Sequence, residues 1–120
     1  MDDEDIVRNV AGKMLEFLGY RATLARDGRE ALDLYRTRLE AGNPFSAVIL
    51  DMVVPGGLDG SATLAELLRM DPGVKAIFSS GYGETAPDGS ALKGHAGLVA
   101  KPYELKTLAG VLEKILASAK

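Results

Sequence analysis

The stretch AVILDMVVPGG, Ala47 to Gly57, limits what this chain can fold into more than any other. Its apolar residues Ala47, Val48, Ile49 and Leu50 read as a strand buried on both faces, the pattern of a parallel sheet covered by helices. The run then ends on a carboxylate, Asp51, and breaks at Pro55-Gly56-Gly57. A charge at the mouth of an apolar strand calls for a purpose and for partners.

The rest of the chain alternates helical and strand patterns. Ile6, Val7, Val10, Met14, Leu15 and Leu18 recur at three- and four-residue spacing, predicting a helix with these residues on its inner face and Gly19 at its end. Arg21 to Ala25 is a short strand candidate. Asp27 and Glu30 form a capping pair for a second helix carrying Ala31, Leu32, Tyr35 and Leu39, stopped by Gly42-Asn43-Pro44. A third helix turns Leu64, Leu67 and Leu68 inward and ends at Asp71-Pro72-Gly73; Val74 to Ser79 is the next strand. Glycines and Pro87 between Gly81 and Gly97 leave any helix there poorly specified. Gly97 to Ala100 is a last small strand, and Leu105, Leu108, Leu112, Ile115 and Leu116 stripe a final helix.

Strands alternating with helices predict an α/β fold with a parallel sheet and helices on both faces. At 120 residues and 47% hydrophobic, the chain makes one domain, 1–120, with a real core. No window suits a bilayer span, and the acidic start MDDED is unlike a signal peptide, so the chain reads as cytoplasmic, with no direct membrane contact. With no cysteine, disulfides, thiolate nucleophiles and zinc-thiolate sites are excluded. A net charge of -3 with no cluster of Lys and Arg weighs against a nucleic-acid surface.

In parallel sheets, ligands bind beyond the carboxyl ends of the strands. Asp51, then Ser79 and Ser80, then Lys101 close three successive strands at that edge, and Asp2 and Asp3 precede the first helix there. Each has an ordinary reading alone: a helix-start acidic run for Asp2 and Asp3, turn residues for Asp51 and the serines, a strand end for Lys101. Together, three carboxylates suit a hard divalent cation such as Mg²⁺, and a lysine and a hydroxyl beside it suit phosphoryl oxygens. The acid can then be the phosphoryl acceptor. His95 has no metal-ligand partner at useful spacing, and Tyr82 and Tyr103 read as packing residues.

Four motifs in this order, DDED, ILDMVVPGGLDG, FSSGYG and AKPY, resemble the receiver domain of two-component response regulators, especially the receivers of hybrid sensor histidine kinases. The resemblance implies a five-stranded flavodoxin-like sheet of order 2-1-3-4-5. It implies Asp51 as phosphoacceptor, Asp2 and Asp3 as Mg²⁺-binding acids with Asp51 and the Val53 backbone carbonyl, and Ser80 and Lys101 as the phosphoryl-binding and switch pair. The implied partner is a histidine kinase or histidine phosphotransfer domain; a homodimer is left open. The implied role is phosphoryl acceptance in a phosphorelay, without turnover of an external substrate. Val53 and Tyr82 flank the expected path of attacking water and offer no carboxylate or amide to orient it, so slow dephosphorylation is expected.

The chain departs from the pattern in three places. Receivers begin with an apolar strand before the acid pair, whereas only Met1 precedes Asp2. The missing strand belongs between the segments at Arg21 and Ala47, and its loss forfeits several side chains worth about 1.5–3 kcal/mol each. Upstream residues, another segment or subunit, or a rearranged sheet are the ways to fill it. Leu98 stands where many receivers carry a switching aromatic, and Gly56-Gly57 lengthens the loop after the acceptor into an expected mobile rim. Two rivals follow: a receiver-shaped interaction module that takes no phosphate, and a haloacid-dehalogenase-like phosphatase, which normally has a second Asp where Val53 stands.

Overall fold

The computed structural model describes residues 1–52, 59–80, 96–101 and 103–117. Its sheet, among these residues, has three parallel strands side by side: β1 (Val48–Asp51), β2 (Ala76–Ser80) and β3 (Ala96–Ala100). Leu50 stands opposite Phe78, and Asp51 opposite Ser79; Phe78 in turn stands opposite Leu98. Among the described residues, four helices accompany the strands: α1 (Asp5–Phe17), α2 (Gly28–Glu40), α3 (Gly60–Met70) and α4 (Leu105–Ala117).

Local chemistry sets the helix ends. The Asp27 carboxylate accepts the Glu30 amide at 2.9 Å, while Glu30 reaches back to the Arg26 amide at 2.8 Å, one residue before the usual capping-box partner. Asp59 caps α3 by accepting the Ala62 amide at 2.9 Å. Gly19 and Gly42 follow α1 and α2 at φ of 95° and 79°, where a side chain would be strained.

The strands bury two apolar clusters, one on each face. Leu32 and Tyr35 of α2 and Leu64 and Leu67 of α3 pack on Leu50 and Phe78. On the other face, Leu108, Leu112 and Ile115 of α4 pack on Ile77 and Val99, joined by Val7, Ala11, Met14 and Leu15 of α1. Each fully buried large side chain contributes about 1.5–3 kcal/mol.

Three expectations are corrected. Arg21–Ala25 forms no strand: a strand exists through its ladder, and the only backbone link found here among the described residues is the Asp2 amide donating to the Ala25 carbonyl at 3.1 Å. Val48 and Ile49 are only partly buried, because β1 borders an open cleft. Ile6 and Val10 lie on the outer side of α1, 79% and 42% exposed, so the inward stripe is Val7, Ala11, Met14, Leu15 and Leu18.

One polar contact ties the α2–α3 side together. The Tyr35 hydroxyl donates to Asp71 Oδ2 at 2.6 Å, and Asp71 Oδ1 accepts the Gly73 amide at 3.0 Å. Burial, and then the Asp71 hydrogen bond and charge, push the Tyr35 phenol up, so it stays a donor. Tyr35→Phe removes the bond while keeping the ring, and should cost about 1–2 kcal/mol, read from the urea midpoint. An unchanged midpoint would show that the bond contributes nothing net.

Candidate functional site

Asp51 closes β1 with its side chain almost wholly buried. Its backbone amide donates to the Met1 carbonyl at 3.0 Å, and the next amide, Met52, donates to the Ser79 carbonyl at 3.1 Å. Behind it sits Gly60, the first residue of α3. A Cβ on Gly60 would stand 2.7 Å from the Asp51 carbonyl oxygen and 2.9 Å from the Phe78 ring, so only glycine lets the helix approach this closely.

Asp2 is held at four points. Its amide bonds the Ala25 carbonyl, its Oδ1 accepts the Glu4 amide at 2.9 Å, and its carbonyl accepts from the Arg8 guanidinium at 2.8 Å. Its Oδ2 lies 3.1 Å from Lys101 Nζ. That contact is an ion pair without good hydrogen-bond geometry, leaving the buried Oδ2 able to accept a hydrogen bond or to ligate a cation. Arg8, which also pairs with Asp5, was not foreseen. One arginine on a helix carries no pattern pointing to a carbonyl six residues earlier.

Lys101, just after β3, reaches across the edge to Asp51 Oδ1 at 2.9 Å as well as to Asp2. Burial works to lower its pKa, but the Asp51 hydrogen bond and the close Asp2 and Asp51 carboxylates outweigh it and push the ammonium up. The ammonium's stabilising effect is therefore complete below its ordinary value of 10.5 and is lost only as pH climbs through the raised one. The Met1 amine, by contrast, is pushed down to about 6 by burial, against the pull of Asp2 and Asp51.

Asp2, Asp3 and Asp51 each offer an oxygen within 4.8 Å of the others, Asp3 from an exposed position and the other two buried. Three carboxylates face one ammonium, so the cluster is short of positive charge. Hard oxygens in this number fit Mg²⁺, which keeps several waters and takes few carboxylates.

The other expected positions stand as follows. Ser80 ends β2, but its side chain lies outside the described parts. Val53, Tyr82 and Gly56-Gly57 also lie outside the described residues. Leu98 on β3 is 46% exposed. Ser79 lies at the strand edge as expected, fully buried, and Tyr103, expected only to pack, enters the site region beside it. Burial pushes the Tyr103 phenol up and the adjacent Ser79 hydroxyl opposes this, although buried Ser79 Oγ has no well-formed hydrogen bond among the described residues.

Residues 1–113 match the model of the response regulator receiver domain. The chain belongs to this family. Over 117 residues it is 35% identical to the sensor kinase CckA of Brucella abortus, covering 97% of this chain and 12% of that protein. It is 32% identical to the response regulator receiver protein CpdR of the same organism, covering 98% of this chain and 94% of that one. Among solved structures, the receiver domain of NtrX from Brucella abortus superposes with a TM-score of 0.84 at 29% identity, covering 97% of this chain and 94% of that one. The chain thus spans one receiver domain and only a small part of the larger kinase. The expected flavodoxin-like α/β fold holds, with three of its strands present among the described residues. No described helix is long and apolar enough to cross a membrane.

The receiver's edge depends on Lys101 for charge. Lys101→Met would leave Asp51 and Asp2 buried without it, and should destabilise the protein by about 3–5 kcal/mol in metal-free buffer, measured by urea unfolding. A loss below about 1 kcal/mol would mean that the pair is as weak as a surface salt bridge.

Proposed function

We propose that this receiver domain takes a phosphoryl group onto Asp51 from the phosphohistidine of a histidine kinase or histidine phosphotransfer domain. An Asp51 carboxylate oxygen attacks phosphorus, a P–O bond forms, the P–N bond breaks, and the histidine nitrogen leaves with the electron pair. The observation that carries this reading is the position of Lys101 Nζ, 2.9 Å from Asp51 and 3.1 Å from Asp2, beside a three-carboxylate cluster at the strand ends.

Each group has a stated part. Lys101 exchanges some of its contact with Asp51 for phosphoryl oxygens, and Ser80 donates to another. Asp2, Asp3 and Asp51, with the Val53 carbonyl, would hold Mg²⁺, which when bound supplies charge neutralisation for phosphoryl transfer. Arg8 and the Glu4 amide keep the Asp2 carboxylate aimed at the cluster. Val53 and Tyr82 leave the attacking water unoriented, so the acyl phosphate decays slowly. The product changes the edge where β2 and β3 end, and partners read that change. Catalysis beyond the domain's own phosphorylation and slow dephosphorylation is not part of this role, and receiver membership favours it over the phosphatase reading.

The passive interaction module draws on one observation, the open cleft along Val48, Ile49 and Leu50. Acetyl phosphate with Mg²⁺ separates the two. Intact-mass measurement should show one added phosphoryl group on the wild-type chain and none on Asp51→Asn. Equal labelling of both proteins would place the acceptor elsewhere, and no labelling of either would favour the passive module.

A further inference from the structure

Two hydroxyls lie among apolar residues beside the charged edge. Ser79 is fully buried on β2, with Asp51 opposite it on β1 and Val99 opposite it on β3. Side chains alternate along a strand, so Ser79 projects to the same face as Ile77, the face that α1 and α4 cover. Tyr103, 9% exposed, follows Lys101 by two residues and packs on that face with Ile77, Val99 and Leu108. Besides the burial that pushes it up, the Tyr103 phenol feels the Ser79 hydroxyl and the charges of Asp2, Lys101 and Asp51, which puts the two hydroxyls together and close to the ion pairs. Tyr103 also shares a cleft wall with Asp2.

Alanine at 79 and phenylalanine at 103 would fill this space without burying two oxygens, each of which costs free energy when its hydrogen bonding is incomplete. Ser79 Oγ has no well-formed hydrogen bond among the described residues, and neither has Asp2 Oδ2. Under-satisfied buried hydroxyls are uncommon in folded proteins, and the nearest demand for polar groups here is the set of ion pairs made by Lys101. Hydrogen bonds around a reacting site are often loose before the reactants arrive and tighten with them.

Lys101 sends its ammonium out from the bend after β3. Its backbone is set on one side by the last rung of β3, Ala100 opposite Ser80, and on the other by wherever Tyr103 is held. Apolar contact is non-directional and lets a ring slide or turn, whereas neighbouring hydroxyls favour one placement. We propose that Ser79 and Tyr103 are positioning residues for this edge: their adjoining hydroxyls hold the chain after Lys101 against β2 and so fix the ammonium between Asp51 and Asp2. The consequence for phosphoryl transfer rests on Asp51 being the acceptor; the placement of the ammonium does not.

The test removes one oxygen at a time from the whole chain, as Tyr103→Phe and Ser79→Ala, then both together. Ile115→Val serves as control, because it loosens the same apolar cluster without touching either hydroxyl. In metal-free buffer, NMR of the Lys101 ammonium reads how fast its protons exchange with water. Exchange should quicken about fivefold or more in each single variant, the usual worth of one hydrogen bond, and no further in the double one. Ile115→Val should keep the wild-type rate. With Mg²⁺ at saturation, labelling of Asp51 by acetyl phosphate should slow by a similar factor in the same variants. Should one single variant fail to fold, the other carries the same expectation.

An unaltered ammonium in the folded single variants would overturn the proposal. So would equal quickening in Ile115→Val, which would make general loosening the cause, or effects that multiply in the double variant, which would make the hydroxyls independent. Labelling at the wild-type rate despite a loosened ammonium would overturn the link to phosphoryl transfer. A quickened ammonium in the variants beside a wild-type chain that takes no label would support the positioning role and remove Asp51 as acceptor.

Discussion

The Lys101 ammonium holds this edge of the molecule together. Asp51 and Asp2 are nearly inaccessible to water, and burying two carboxylates side by side costs several kcal/mol unless a cation faces both. Lys101, at 2.9 and 3.1 Å, is that cation, and it comes from the far strand of the described sheet. The ion pairs therefore span the strand order, linking the start of the chain, the end of β1 and the end of β3. One ammonium against three carboxylates leaves a deficit that suits a divalent ion and then the oxygens of a phosphoryl group. The structure that tolerates the acids is the one that can use them.

Positioning depends on backbone as much as on charge. Asp51 is fixed by its amide bond to Met1 and by the close approach of Gly60, and Asp2 by its links to Ala25, Glu4 and Arg8. Met1 is thus the rung that sets the distance between two of the carboxylates.

Features governed by neighbours in the chain were legible from the residues alone. Asp27 and Glu30 announced the start of α2, the leucine spacing of α4 announced its inner face, and the order Asp, Ser, Lys at successive strand ends announced the edge that gathers them. What escaped depends on contacts far apart in the chain. Arg21–Ala25 has strand-like composition but lacks a ladder, and propensity cannot supply the missing partner. Ile6 and Val10 fit the helical period, yet the inner face was decided by where α4 and Ile77 lie. Arg8 carries no local pattern that marks it.

The central claim is that Asp2, Asp3 and Asp51 form a single divalent-cation site at the strand edge. Calorimetric titration of the metal-free domain with Mg²⁺ tests it most directly. The account predicts one saturable site in the wild-type protein, weakened at least about tenfold in Asp2→Asn, the equivalent of about 1.4 kcal/mol. Binding of the same strength in both proteins, or no saturable binding in the wild type, would contradict it.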